Sequence, residues 1–151
     1  LLIFGNSLST SAVSIKKEFL IRNNLFFSER KEYITAEDYD LWIKLAQKNA
    51  KFKFINKYLG YYQVDNKSSS NIDIEKHHGY VENVVNEHLK IINSKRVKKL
   101  TKARITITKL KLLLKNNKIK TFFEIINKFK ISDFKFIIKF IFLKIIRRIY
   151  G

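Results

Sequence analysis

The chain has 151 residues, of which 46% are hydrophobic, so it holds enough apolar side chain for a folded core and is not a disordered chain. It contains no Cys, which excludes disulfide scaffolds, thiolate metal sites and Cys nucleophiles. It contains no Pro, which excludes polyproline and collagen-like structure. Because Met is also absent, we expect the chain to be a piece of a longer protein.

The positive charge is concentrated in the second half of the chain. Residues 1–75 carry 11 Lys and Arg against 9 Asp and Glu, whereas residues 76–151 carry 20 against 4. Such asymmetry predicts contact with nucleic acid or a membrane surface. The alternative is compositional bias, because Ile, Lys, Asn and Phe make up 73 of the 151 residues, as expected from an AT-rich genome. No segment approaches the ~18 uninterrupted apolar residues of a transmembrane helix, so we predict no membrane span.

The first elements in chain order are predicted to be a strand and a short helix. Residues 8–15 mix small, hydroxyl and β-branched side chains, which is typical of a buried strand. Residues 16–22 are predicted to be helical and to end at Asn23-Asn24, because Asn tolerates the left-handed conformation of a helix end. Phe26 and Phe27, in the irregular segment that follows, are predicted core residues.

The clearest predicted helix runs from about Thr35 to Asn49. Thr35 is followed three residues later by an acid, as in a capping box, and Leu41, Trp42 and Leu45 form an apolar stripe. Phe and Lys alternate over residues 51–54, and this alternation predicts a half-exposed strand. A further strand is predicted over residues 58–64, followed by a polar loop over 65–71.

From about residue 75 onward the pattern becomes helical, and we place a domain boundary there. Valines and leucines recur at helical spacing over residues 81–92 and 110–114, and Asn116-Asn117 predicts a break. Residues 122–150 are predicted to form one or two more helices. His77, His78 and His88 do not share a metal-binding spacing and are predicted to be surface histidines.

One acidic motif resembles the signature of a known enzyme family. Residues 37–42, Glu-Asp-Tyr-Asp-Leu-Trp, resemble the Glu-Asp-x-Asp-Leu-Trp signature of inverting, family-2 glycosyltransferases with the GT-A fold. Residues 10–17, 24–29 and 52–64 resemble neighbouring parts of that family in the same order, so the resemblance covers about residues 3–71. It implies an α/β fold class, in which a partial GT-A domain (1–75) is followed by a mainly α-helical, basic and amphipathic tail (76–151).

The resemblance also implies roles for individual residues. Asp38 would be the general base that deprotonates the acceptor hydroxyl, and Glu37 would support it. Tyr62 and Gln63 would contact substrate, with Gln63 standing where the family has an Arg. Asp65 stands where the family has a His and would ligate a divalent cation, Mg²⁺ or Mn²⁺, through oxygen.

The implied activity is transfer of a sugar from a nucleotide-sugar donor to a glycan or lipid-linked acceptor with inversion, in surface polysaccharide synthesis. No Asp-x-Asp motif precedes the acidic motif, so the donor-side half of such an enzyme is not found in this sequence. We therefore expect the chain alone to be inactive and to need the divalent cation only together with that half. The alternative function is a non-catalytic basic protein that binds a membrane surface or nucleic acid.

Two partners are considered for the basic second half. Residues 122–151 interleave aromatic and aliphatic side chains with Lys and Arg, which suits adsorption to an anionic membrane, or packing on the parent enzyme. This predicts a cytoplasmic protein that is peripheral at the inner face of the plasma membrane. The basic run over residues 95–104 is dense enough to track phosphates, but it lacks a nucleic-acid-binding motif, and Lys outnumbers Arg 25 to 6. Nucleic acid is therefore predicted to be an unlikely partner.

Overall fold

The computed structural model describes residues 2–61 and 73–127, and every regular element in these two ranges is helical. The α-helices are α1 (Lys17–Arg22), α2 (Glu37–Gln47), α3 (Ile74–Lys90), α4 (Lys95–Lys115) and α5 (Ile119–Asn127). Single 3₁₀ turns form at Leu2–Phe4, Thr10–Ala12 and Lys31–Tyr33. The chain divides into two compact units, Leu1–His88 and Leu89–Gly151. The functional boundary that the sequence places near residue 75 stays a prediction.

Helix ends follow the local signals that the sequence carries. Helix α1 stops before Asn23, whose side chain donates to the carbonyl of Phe19 at 2.9 Å, and Asn24 has a φ of 50°. Helix α4 ends before Asn116, and Asn117 has a φ of 54°. Asn is one of the few residues that enter this left-handed region at small cost. The predictions for residues 16–22 and for the break at Asn116-Asn117 are confirmed.

The start of α2 differs from the prediction. The helix begins at Glu37, and Ala36 occupies the N-cap position, without a side-chain cap. Thr35 has a φ of 64°, a conformation that is uncommon for a β-branched residue, and its hydroxyl pairs with the Nδ1 of His77 at 2.8 Å. The predicted capping box is therefore wrong, because the Thr35 hydroxyl has a tertiary partner.

The predicted α/β fold class is wrong for the described residues, which contain no β-strand. Residues 8–15 form a turn in which Ala12 N donates to Ser9 O at 2.9 Å, and the Thr10 hydroxyl bonds to Asp38 instead of standing in a sheet. Residues 51–61 are irregular, because a strand needs a partner strand and the described residues supply none. The rest of the predicted strand over 58–64 lies outside the described residues.

The core of the first unit is built around α2. Leu41, Trp42 and Leu45 pack with Leu25 in one buried cluster, which confirms the stripe predicted for this helix. Phe26 and Phe27 are wrong as predicted core residues, since they are 62% and 48% exposed. The chain buries Leu25 in their place, and Phe27 touches only the edge of the cluster, in a T-shaped ring contact with Trp42.

Candidate functional site

A buried polar network ties α2 to α3 in the first unit. Asp40 is 1% exposed, and its Oδ1 accepts a hydrogen bond from His88 Nε2 at 2.8 Å. The other ring nitrogen of His88 pairs with the side-chain amide of Gln47 at 2.9 Å. Asp40 Oδ2 lies 2.5 Å from the ammonium of Lys44, one turn further along α2. The carboxylate of Asp40 therefore has a partner at each oxygen, whereas Trp42 Nε1, buried in the same core, has no hydrogen-bond partner among the described residues.

The network controls the ionisation of Asp40. Burial alone would raise the pKa of this carboxyl, but the hydrogen bonds from His88 and Lys44 outweigh burial and hold the pKa below its ordinary value. Asp40 is therefore an ionised partner in an internal ion pair. The prediction that His88 is a surface histidine is wrong: its side chain is 6% exposed and packs within the first unit.

The two acids singled out by sequence lie at the start of α2. Asp38 Oδ2 accepts from the Thr10 hydroxyl at 2.7 Å and from the Asn6 amide at 3.4 Å. Its Oδ1 accepts from the backbone of Tyr39 at 2.6 Å. Glu37 Oε2 is buried and has no hydrogen-bond partner within residues 2–61 and 73–127. These contacts give Asp38 a structural role, because it holds the loop before α1 against the first turn of α2.

His77 lies close to these acids. Burial lowers the pKa of its imidazole below the ordinary value, and the nearby carboxylates of Asp38 and Glu37 oppose that shift. A shallow open cleft of about 400 Å³ lies on the same side of the first unit. Its lining residues are Ser28, Glu29, Arg30, Ile34, Thr35 and Glu37. The cleft contains both carboxylates and a guanidinium, so its charge does not select one class of ligand.

The remaining predicted site residues cannot be placed. Tyr62, Gln63 and Asp65 lie outside the described residues, so their roles, and the Mg²⁺ or Mn²⁺ assigned to Asp65, stay predictions. Within the described ranges, no group of three or more His, Cys, Asp or Glu side chains is arranged to hold a metal ion. None of the helices described there is long and apolar enough to cross a bilayer.

The second unit presents a lysine-rich surface on α4. Helix α4 contains nine Lys and Arg residues and no acid. At about 100° per residue, five of its lysines fall within a sector of about 100°. These five lysines, named here the lysine face, are Lys95, Lys98, Lys99, Lys102 and Lys109. Four of them are exposed and Lys98 is half-buried.

Most of the buried residues of α4 lie outside the sector of the lysine face. Leu100 and Ala103 are 8% and 7% exposed and Thr101 is fully buried, and these three lie outside the sector of the lysine face, whereas Leu113, which is 8% exposed, falls within that sector one turn beyond Lys109. Ser94 caps the helix by accepting from Val97 N at 3.3 Å. The sequence shows the density of cations in this run and, for a helix, their angular positions, but which of the lysines are exposed is known only from the structure.

The described residues thus form a helical, strongly basic protein. Its helix α4 contains no acid and presents a row of lysines. A family model described as the CjCas9 PI-CTD domain of a CRISPR-associated endonuclease matches residues 42–119, which is 78 of the 151 residues. The chain belongs to this family. No curated protein and no solved structure matches it.

The family assignment corrects the reading drawn from residues 37–42. The chain is not identified as a family-2 glycosyltransferase, and the match, together with the helical structure, overturns the implied sugar transfer, nucleotide-sugar donor and glycan acceptor. It also overturns the role in polysaccharide synthesis. The expectation that nucleic acid is an unlikely partner is wrong as well. The physical reason is that six residues at the start of one helix can match a signature without the sheet on which that signature acts.

Proposed function

We propose that the chain is a non-catalytic nucleic-acid-binding domain that contacts the phosphate backbone through the lysine face of α4. The observation that carries this proposal is the position of five lysines, four of them exposed and one half-buried, on one side of a helix without a single acid. Further support comes from the family, whose matched domain is a nucleic-acid-interacting part of a CRISPR nuclease. All of α4 lies within the matched residues.

The geometry of the lysine face suits a polyanion. From Lys95 to Lys109 the helix rises about 21 Å, at 1.5 Å per residue. One strand of a duplex carries a phosphate about every 3.4 Å, so this length spans about six phosphates. Lysine ammonium groups bind phosphate as point charges and do not match the paired acceptors of a base edge as Arg does. The face therefore favours backbone contact over sequence reading.

The charge of the second unit supports the same conclusion. Residues 89–151 carry 19 Lys and Arg against 2 Asp and Glu, a net charge of +17, whereas residues 1–88 have a net charge of +1. A nearby carboxylate would repel phosphate, and the acid-free helix avoids that repulsion. We also propose a cytoplasmic location for the chain. Attachment to the inner face of the plasma membrane stays an expectation, because most of the segment 122–151 lies outside the described residues.

The test removes three exposed cations from the lysine face of the full chain. The triple variant Lys95→Gln, Lys99→Gln and Lys102→Gln is titrated onto a fluorescently labelled DNA duplex, and anisotropy is followed at several salt concentrations. Each lost phosphate contact lowers the slope of log K against log salt by about 0.9, so we expect a slope shallower by about two to three. Binding should weaken to the same extent on duplexes of unrelated sequence.

The matched control removes the same charge elsewhere. Lys16→Gln, Lys31→Gln and Lys48→Gln change three exposed lysines of the first unit and give the same net charge. We expect this control to bind as the wild-type chain does. If both triple variants lose affinity equally, binding follows total charge and the assignment to α4 is wrong. If the wild-type chain shows no salt-dependent binding to the duplex, the proposed function itself is wrong.

A further inference from the structure

A second surface with a different chemistry lies in residues 51–61, between α2 and α3. In this segment lysines alternate with aromatic and aliphatic side chains, and no acid occurs. Its lysines are Lys51, Lys53 and Lys57, and its aromatic residues are Phe52, Phe54, Tyr58 and Tyr61. Outside this segment, residues 1–88 hold 9 Lys and Arg against 11 Asp and Glu, so the segment is a basic strip in an otherwise slightly acidic unit.

The rings of this strip are unusually open to solvent. Phe54 is 86% exposed, and Tyr58 and Tyr61 are as exposed as in an extended peptide, at 104% and 107%. Aromatic side chains normally place most of their surface in a core, where each buries a large apolar area. Four exposed rings within ten residues therefore require a reason other than folding.

The backbone leaves each ring separately accessible. Residues 51–61 form neither helix nor strand, and a single hydrogen bond from Lys57 N to Ile55 O turns the chain within the segment. Apart from its chain neighbours Leu59 and Tyr61, no heavy atom lies within 4 Å of a Cβ built on Gly60, so no other segment packs against the backbone there. Each of the four rings is at least half exposed, so all four are open to a ligand from solvent.

We propose that residues 51–61 bind single-stranded nucleic acid, with bases stacking on the exposed rings and the lysines neutralising the phosphates. Each unpaired base has a π-face that can stack on an aromatic ring, while the bases of a duplex are already stacked on one another. Charge complementarity favours this occupant over an apolar protein surface, since three lysines lie among four rings. The inference rests on the proposed function and adds strand selectivity to it, because the lysine face of α4 would hold phosphates of either form.

The experiment compares two variants of this segment in the full chain. The ring variant carries Phe54→Ala, Tyr58→Ala and Tyr61→Ala. The matched control carries Ile55→Ala and Leu59→Ala, which remove exposed apolar side chains without removing a ring. Anisotropy is measured with a labelled single strand of about 15 nucleotides, within the range of one binding module, and with the duplex of the same sequence.

We expect the ring variant to lose single-strand affinity by at least tenfold and to keep its duplex affinity. Stacking is worth about 1–3 kcal/mol per base, which corresponds to about 5- to 150-fold for each ring removed. The control should bind both forms as the wild-type chain does. An unchanged single-strand affinity, or equal losses on single strand and duplex, overturns the inference.

Two further outcomes would overturn this inference without overturning the proposed function. If the control loses as much single-strand affinity as the ring variant does, the binding depends on apolar contact in general. The proposed stacking of bases on the rings is then wrong. If the wild-type chain sediments as a dimer that the ring variant dissociates, the strip is a contact between copies of the chain and the inference is overturned. In either case, the proposed function stands if duplex binding still depends on the lysine face of α4. If the wild-type chain binds neither the duplex nor the single strand, both the proposed function and this inference are wrong.

Discussion

Replacing Asp40 with Asn tests whether the buried network holds α2 against α3. The substitution keeps the size of the side chain and lets Oδ1 accept from His88, but it removes the charge that faces Lys44. A hydrogen bond to a charged group contributes about 1.5–3 kcal/mol to stability. Lys44 is partly exposed and can turn toward water, so we expect Asp40→Asn to cost about 1.5–3 kcal/mol of unfolding free energy. Asp40→Ala, which leaves His88 without its acceptor, should cost about 3–5 kcal/mol.

Urea unfolding followed by fluorescence measures this cost directly. Trp42 is the only tryptophan of the chain, lies two residues from Asp40 in α2 and is 1% exposed, so its emission reports unfolding of the first unit. Glu29→Gln is the matched control, because it removes one carboxylate charge at an exposed position. We expect the control to stay within about 0.5 kcal/mol of wild type.

The pH dependence gives a second readout that a simple packing defect would not share. The pKa of Asp40 is lowered from 3.8 in the folded chain, so its stabilising contribution is present above the unfolded value and is lost as pH falls through the folded pKa. The difference between wild type and Asp40→Asn should therefore be constant near neutral pH and shrink below about pH 4. Equal stability at pH 7, or a difference that persists unchanged in acid, would refute the assignment of an ionised buried Asp40.

Two further predictions concern the same unit. Trp42→Ala should lower the unfolding free energy by about 3–5 kcal/mol, because it leaves a cavity in the buried cluster. Urea unfolding followed by circular dichroism measures the loss, and a stability within about 1 kcal/mol of wild type would contradict the prediction. His77→Gln should reduce the loss of thermal stability on going from pH 8 to pH 5. The reason is that the folded pKa of His77 lies below its unfolded value of 6.5, so protonation below pH 6.5 favours the unfolded chain. Equal pH dependence in wild type and variant would show that folding does not lower the pKa of His77.

The sequence predicts those parts of the fold that depend on neighbouring residues. The end of α1 before Asn23-Asn24 and the end of α4 before Asn116-Asn117 follow from a residue type that tolerates positive φ. The apolar stripe of α2 follows from helical spacing alone. The predicted strands fail, because a period of two also describes an extended segment without a partner, as in residues 51–61.

The contacts that connect distant residues could not be predicted. His88 lies 48 positions from Asp40, and nothing in the spacing of the histidines indicates that one of them is the partner of a buried acid. Thr35 has the sequence context of an N-cap, yet its hydroxyl pairs with His77, 42 positions away. The cations of α4 are visible in the sequence, but charge density alone does not separate a binding face from an ordinary solvated one.

Compositional bias toward Lys does not account for the basic second unit. Such a bias adds cations along the whole chain, whereas residues 89–151 differ from residues 1–88 both in their cations, 19 in 63 residues against 12 in 88, and in their acids, 2 against 11. At the acid density of the first unit, about eight acids would be expected in the second. A bias that only enriches Lys leaves this depletion unexplained.

The first turn of α4 carries cations at positions where a helix favours acids. The macrodipole of a helix favours acids in the first turn by about 0.3–1 kcal/mol each and disfavours cations there. Helix α4 nevertheless begins with Lys95 and Arg96, followed by Lys98, and has no acid in that turn. The Ser94 cap offsets part of this cost. A local choice that works against the stability of the helix indicates a functional demand, and a row of phosphates beside α4 supplies one, because it neutralises the same cations that the dipole repels.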